Sequence, residues 1–397
     1  MTGTSLAPTV LDAIQTLTDF AAGNADVDQV LRRQYELGLA WPHFRVGEGG
    51  LGLSRAEARA VRARLTEIDL PRTPASFVGL HQASALFHDF GSDRQRALIP
   101  RIFTGEDQWC QLFSEPGAGS DLANVGCRAE LRGGTWHIDG QKVWTSNARH
   151  ASHALLLART DPGEVKHRGM TMFVLDMRQP GVEVRPLRQM DGGARFSEVF
   201  LVDARVSDTD RVGDVGAGWA MAMHILTTER DGASELFDRP VEEILELWRT
   251  SSPRPAPALR DEVVRLWVSS RVNQLSGARA RRSGDPAEKA RLGGIAKIAA
   301  SEHAQRHADL LAVLLGPSAV AAADYEAAFE DDLDPRSTAA KDFGSLSPHR
   351  FILRCRAMSI EGGTNEIARN VAGERVLGLP PEPRADKGRP WRDLLKS

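Results

Sequence analysis

From Leu11 to about Ile102, apolar residues recur every three or four positions with Arg, Glu and Ala between them, and that spacing predicts helices. Ser54 stands at the head of one such run in the role of an N-cap and predicts a helix from Ser54 to Asp69. The pattern changes near Gln111. As far as Asp214 the chain offers short apolar runs, ALLLAR (Ala154 to Arg159), MTMFVL (Met170 to Leu175) and SEVFLV (Ser197 to Val202), punctuated by Gly, Pro and Asp, which predicts strands. Asp139-Gly140, between Trp136-His137-Ile138 and Gln141-Lys142-Val143, predicts a two-residue hairpin turn. Helical spacing returns from Trp219, most clearly over Leu259 to Arg282 and Lys289 to Leu315, while Ser251 to Pro257 and Asp332 to Pro348 read as loops.

Composition changes this picture little. The 397 residues are enough for two or three packed regions, and 42% hydrophobic with 26% charged residues is ordinary for a globular protein. A net charge of -3 argues against nucleic acid or an anionic membrane as the main partner. Cys110, Cys127 and Cys355 are odd in number and scattered, which suggests neither a disulfide framework nor a metal site. No apolar run is long enough to span a bilayer and no basic-then-apolar leader opens the chain, so the expectation is a cytoplasmic enzyme.

The candidate chemistry sits in three segments. FSEPGAGSD (Phe113 to Asp121) is a glycine loop at the entry to the β region, where backbone N–H groups can approach a ligand with no Cβ in the way. QKVWTSN (Gln141 to Asn147) carries Trp144, a large flat face with little conformational freedom to lose. SIEGGTNEIARN (Ser359 to Asn370) feeds a glycine turn into a helix start, a place where free N–H groups converge. Thr364 or Asn365 could equally serve there as a simple cap.

In this order and at these separations the three segments resemble the acyl-CoA dehydrogenase family, and WPHFRVGEGGLGLS (Trp41 to Ser54) and GERVLGLP (Gly373 to Pro380) extend the resemblance over nearly the whole chain. The resemblance implies an α+β fold: an N-terminal helical domain (1–110), a middle β-barrel-like domain (111–215) and a C-terminal helical bundle (216–397). It implies FAD as cofactor, held by Phe113, Ser114, Gly119, Ser120, Trp144, Thr145, Ser146, Gly363, Thr364 and Glu366. Trp144 would pack on the isoalloxazine and the Ser146 hydroxyl would meet flavin N5, with Thr145 as the second-ranked hydroxyl. The substrate would be an acyl-CoA or acyl-carrier-protein thioester contacted by Ser120, Arg230 and Gly362, and electrons would pass to an electron-transfer flavoprotein.

The base that takes the α-proton has two candidates. Many relatives carry a glutamate just before a Gly-Thr pair near the C-terminus; aligning on Gly363-Thr364 puts Gly362 there, and Glu361 falls one residue early. A second branch, with isovaleryl- and long-chain acyl-CoA dehydrogenases, carries it on an earlier helix before an arginine, where this chain has Glu229-Arg230. At about 100° per residue Ala222, Ile225, Leu226 and Glu229 share one helix face, and a carboxylate on an apolar stripe should have a raised pKa, as a base working near neutral pH requires. A structural ion pair is the other reading of that glutamate. Glu229 ranks first and Glu361 second.

Gly47 to Gly52 matches GxGxxG literally but lacks the strand–helix–strand context of a dinucleotide site. His303 and His307 share a helix face without an HExxH order and read as a core or surface pair, and Arg279, Arg281 and Arg282 as a solvated helix end. The chain also departs from the family. The Arg-x-x-Phe-Gly segment that many members carry after the base helix is missing, and the glycine-rich segment of the last bundle shrinks to LLGPSAVAAADYE (Leu314 to Glu326). Both losses weaken the case for a self-sufficient homotetramer and resemble the branch with cholesterol side-chain dehydrogenases, where two related chains can share flavin sites. The expectation is a homo- or hetero-oligomer, with a structural partner subunit as one alternative and, since some relatives are such enzymes, a flavin monooxygenase on the same fold as another, against which Glu229 argues.

Overall fold

The computed structural model describes residues 6–226, 239–251, 257–283, 286–321, 325–333, 346–383 and 386–394. Its first third is helical: α1 (Pro8–Ala22), α2 (Val27–Glu36), α3 (Arg55–Leu65), a π-helical turn (Val78–Ala83) running into α4 (Ser84–Phe90), then α5 (Asp93–Arg96) and α6 (Ile99–Thr104). Ser54 caps α3 as expected, in a reciprocal capping box with Glu57, but the helix stops at Leu65 rather than Asp69. The buried stripe of Ala58, Val61 and Leu65 ends there, and Ile68 and Leu70 pack against the same cluster from the irregular chain that follows.

Eight strands follow: β1 (Trp109–Leu112), β2 (Arg128–Arg132), β3 (Thr135–Ser146), β4 (His153–Arg159), β5 (Met170–Asp176), β6 (Val182–Leu187), β7 (Phe196–Ser207) and β8 (Arg211–Val212). They form one sheet in the order β6-β7-β3-β2-β4-β5-β8, with β1 pairing in parallel to β4. β4 and β5 are buried on both faces, which is why they read as unbroken apolar runs. Leu155, Leu157, Met170 and Met172 face the N-terminal helices together with Trp109 and Phe87. Leu156, Phe173 and Leu175 face the opposite way, against Trp136 and Ile138.

The hairpin expected at Asp139-Gly140 is not there. β3 runs straight through both residues, and the turn lies upstream at Gly133-Gly134, whose φ values of 56° and 81° suit a tight two-residue loop between Arg132 and Thr135. Asp139 faces an extra residue on β7, where Asp203 takes φ 51° and donates its backbone N–H to the Asp139 carboxylate at 2.9 Å. Aspartate followed by glycine thus serves a bulge, while the neighbouring glycine pair makes the turn.

The chain is helical again over 218–226 (α7), then in α8 (Glu242–Thr250), α9 (Pro257–Arg282), α10 (Pro286–Leu315), α11 (Tyr325–Leu333), α12 (Pro348–Arg354) and α13 (Asn365–Val371). The bundle core gathers Ile244, Leu266, Leu311 and Phe351. His303 and His307 belong to it: His303 Nδ1 lies 2.7 Å from Ser269 Oγ, and burial first of all, then the neighbouring His307 and Arg306, pulls its pKa down to about 4. No helix among the described residues is long and apolar enough to cross a membrane.

Candidate active site

The loop Phe113–Asp121 leaves β1 and turns back on itself, with Glu115 and Ala118 exchanging backbone hydrogen bonds of 3.1 and 3.0 Å. An ion pair that the sequence reading passed over holds it to β3. The Lys142 side chain has no solvent exposure; its ammonium donates to the Glu115 carboxylate at 2.7 Å and to the carbonyls of Phe113 and Leu157 at 2.9 and 2.7 Å. Glu115 also accepts the backbone N–H groups of Gly126 and Cys127 at 2.7 and 2.9 Å. The Val143 N–H reaches the Ser114 carbonyl at 2.9 Å, which joins loop and strand through the backbone as well. A lysine at an inward position of an alternating strand was the available signal.

Two residues beyond Lys142 the strand deforms. Three steps along β3, Lys142 to Thr145, face two along β7, Val199 to Ser197, so β3 carries one extra residue. Trp144 absorbs it at φ 59°, a left-handed conformation that costs a bulky residue on the order of 1–3 kcal/mol. Its indole is 61% exposed and makes an edge contact with Phe196 at 6.0 Å. Ser146 is exposed as well, whereas Thr145 between them is buried, its hydroxyl with no hydrogen-bond partner among the described residues. Gly119 and Ser120 are exposed on the loop, and no atom lies within 4 Å of where a Gly119 side chain would stand.

The C-terminal turn needs its glycines: Gly362 and Gly363 have φ values of 64° and 90°, and the place of a Gly363 side chain is open. Thr364 caps α13 by accepting the Ile367 N–H at 3.2 Å, and Glu366 is exposed beside Arg369. Asn365 anchors the turn from beneath, its amide oxygen accepting from Lys297 at 2.8 Å and Ser301 at 3.0 Å. Glu361 is bound to Arg354 at 2.6 Å, and the Arg354 guanidinium lies 5.4 Å from the Phe196 ring centre. Phe196 thereby touches both the indole of Trp144 and the cation that holds Glu361, which brings the β3 segment and the glycine turn together. Asp191, also buried, pairs with Arg195 on its own loop and with Arg350 of the bundle at 3.5 Å.

Glu229 and Arg230 lie outside the described residues. The nearby described arginine, Arg239, is buried in the bundle: it is paired with Glu243, donates to the Leu346 carbonyl at 2.8 Å and lies 4.8 Å from the Phe351 ring centre. Gly47 to Gly52 forms a compact loop with Gly47, Gly49 and Gly52 at positive φ and no strand before it, which removes the dinucleotide reading.

The residues present fit a planar, polar-edged ligand. An indole is held out under strain, a buried hydroxyl lacks a partner beside it, and two glycines leave open space where side chains would intrude. Comparisons with known proteins point the same way. The family model described as acyl-CoA dehydrogenase, middle domain, matches residues 110–204, and that described as acyl-CoA dehydrogenase, C-terminal domain, matches residues 216–377. The chain is 36% identical over 349 residues to acyl-CoA dehydrogenase IpdE1 of Mycobacterium tuberculosis, covering 87% of this chain and 85% of that protein. The solved Tcur3481-Tcur3483 steroid ACAD superposes with a TM-score of 0.67 at 22% identity, over 95% of this chain and 99% of that one. The ChsE4-ChsE5 complex from Mycobacterium tuberculosis superposes with a TM-score of 0.66 at 23% identity, again over 95% and 99%.

Proposed function

Since the chain belongs to the acyl-CoA dehydrogenase family and is an oxidoreductase of that family, we propose that it binds FAD and oxidises the α,β carbon–carbon bond of an acyl thioester to the trans-2-enoyl product. The observation that carries this reading is Trp144, strained and solvent-exposed at the edge of the glycine loop. FAD would be held by Phe113, Ser114, Gly119, Ser120, Trp144, Thr145, Ser146, Gly363, Thr364 and Glu366, and when bound it supplies the acceptor for the hydride leaving the β-carbon.

The chain's own groups do the rest. Trp144 and Ser146, exposed one on either side of the inward Thr145, offer a stacking face and a hydroxyl; Thr145 stays second for that role. Ser120 and Gly362 would orient the thioester. The α-proton would pass to the Glu229 carboxylate, with Arg230 beside it in sequence. Supporting this, Ala222 and Ile225, on the apolar stripe that reaches Glu229 by helical periodicity, are fully buried, and Leu226 beside them is half-buried. Glu361, engaged by Arg354, is the weaker candidate, since a carboxylate held in an ion pair loses that pairing when it takes a proton. Reoxidation would fall to an electron-transfer flavoprotein.

A second reading, an assembled form in which a related chain completes the site, is favoured by one face of α9. Val264, Trp267, Val268, Val272 and Leu275 recur at helical spacing and are all exposed. The test of both is one preparation. Purified protein should show flavin absorbance, bleached anaerobically by at least one member of a panel of acyl-CoAs. Ring-bearing acyl groups belong first in that panel, because the Tcur3481-Tcur3483 protein that this fold resembles is a steroid ACAD. Flavin-loaded protein that no acyl-CoA bleaches would sink the dehydrogenase reading. A colourless chain that turns yellow and active only when co-expressed with a related one establishes the second.

A further inference from the structure

The segment Asp386–Leu394 returns from the far end of the chain to the middle sheet, and it lands against the residues that follow Ser120. Trp391 donates its indole N–H to the Asn124 side chain at 2.9 Å, and the Arg159 guanidinium lies 4.8 Å from its ring centre. Arg159, only 2% exposed, holds the inner side of the same stretch through the carbonyls of Ala123 and Val125, at 2.7 and 3.2 Å, and reaches the Lys166 carbonyl at 2.7 Å. The backbone N–H groups of Trp391 and Arg392 donate to the carbonyls of Glu164 and Pro162 at 2.9 and 3.0 Å, and Pro390 bridges Val165. Lys166 binds Asp121 at 3.0 Å on one side and Asp386 on the other, tying loop and segment through one ammonium. Gly126 lies against the indole as well, its side-chain position 3.4 Å from the Trp391 ring.

Residues 121–126 are thus held from two sides: inwardly by Arg159 and Glu115, outwardly by Trp391 and the Lys166–Asp386 pair. In the turn Pro116–Ser120, by contrast, Ala118 is buried in the core and bridged to Glu115, while Pro116, Gly117, Gly119 and Ser120 are exposed. We propose that Trp391 and Asp386 are positioning residues for the Gly119–Asn124 loop, and through it for thioester binding. The second half of this rests on the functional reading above; the first half, the tether, does not.

The test compares the intact, flavin-loaded protein with Trp391→Ala, Asp386→Asn, the graded Trp391→Phe, which keeps the ring and loses the N–H, and a chain lacking residues 386–397. Hydrogen exchange of the amides of 119–126 reads the tether, and it can be run with or without flavin. Exchange there should quicken by about 10-fold in Trp391→Ala, the effect of losing one cation–π contact and one hydrogen bond, and by less in Trp391→Phe. The acyl-CoA concentration that half-saturates flavin reduction should rise by about the same factor, with the rate at saturation unchanged. Arg392→Ala, an exposed side chain outside these contacts, should alter neither. Unchanged exchange at 119–126 in both Trp391→Ala and the shortened chain overturns the tether. Quickened exchange with unaltered half-saturation overturns the link to the substrate. An intact protein that no acyl-CoA reduces strikes the functional reading instead, and the exchange arm still decides the tether.

Discussion

Replacing Lys142 by methionine keeps the length of the side chain and deletes its charge. Three acceptors lose their donor at once: the Glu115 carboxylate and the carbonyls of Phe113 and Leu157. Breaking a buried ion pair from one side costs about 3–5 kcal/mol, because the remaining charge is left in a poor solvent. Glu115 retains the N–H groups of Gly126 and Cys127, which puts the expected loss near the lower end, at about 3 kcal/mol. At about 1–2 °C per kcal/mol for a chain of this length, the unfolding midpoint of flavin-free protein should fall by roughly 3–6 °C. Adding Glu115→Gln removes the stranded charge, so the double variant should lose about 1–2 kcal/mol less than the sum of the singles. The Lys142–Glu115 pair that ties the Phe113–Ser120 loop to β3 is lost in all three variants, so flavin content on purification should drop with stability. Tryptophan fluorescence against temperature or urea gives the first quantity and visible absorbance the second. A Lys142→Met protein that melts within about 1 °C of the parent would show that this pair does not hold the loop. Strict additivity of the two substitutions would deny that they interact.

Trp144→Gly should be more stable than Trp144→Ala by about 1 kcal/mol, because glycine accepts φ 59° and alanine does not, while both should retain flavin poorly; equal denaturation midpoints would remove the strain argument. Stability should fall as pH drops from about 6.5 to 4: unfolded His303 takes a proton near 6.5, folded His303 only near 4, so protons favour unfolding across that window by up to about 3 kcal/mol. Below about 4.5 Glu243 adds to the loss; burial pushes its pKa up, but the Arg239 hydrogen bonds and the nearby His307 imidazole outweigh that and hold it at about 2, so its stabilisation fades as pH falls from 4.5 toward 2. Denaturation midpoints across this range test both, and His303→Gln should flatten the upper part. Glu229→Gln should keep the fold and slow flavin reduction by about 10²- to 10⁴-fold in stopped flow, and Glu361→Gln should leave the chemical step nearly intact; the reverse pattern would make the C-terminal glutamate the base. All three cysteines are buried, with burial raising each thiol's pKa, so native protein should react slowly with a thiol reagent and unfolded protein fast.

What the sequence determined by itself is what depends on local period and local chemistry. The helical spacing before Ile102 and after Trp219, the apolar runs of β4 and β5, and the Ser54 cap each rest on residues a few positions apart, and each reappears in the fold. The three glycine- and tryptophan-bearing segments could be singled out for the same reason, since glycines at short spacing mark turns, and Gly362 and Gly363 do take positive φ. Tertiary structure decided everything that turns on a distant neighbour. Gly133-Gly134 and Asp139-Gly140 are equivalent as local turn signals; the bulge on β7, more than sixty residues away, makes the second a strand. Lys142 looked like an ordinary strand lysine until Glu115 and two carbonyls enclosed it. Glu361 could be weighed as a base only from its sequence neighbours, and its partner Arg354 turns it into half of an ion pair. Trp391 gave no signal at all, because its role comes from Asn124 and Arg159, which meet it only when the chain has folded back across the sheet. Buried charge and close contact are properties of a place in space, and a pattern along the chain records that place only where the contact is local.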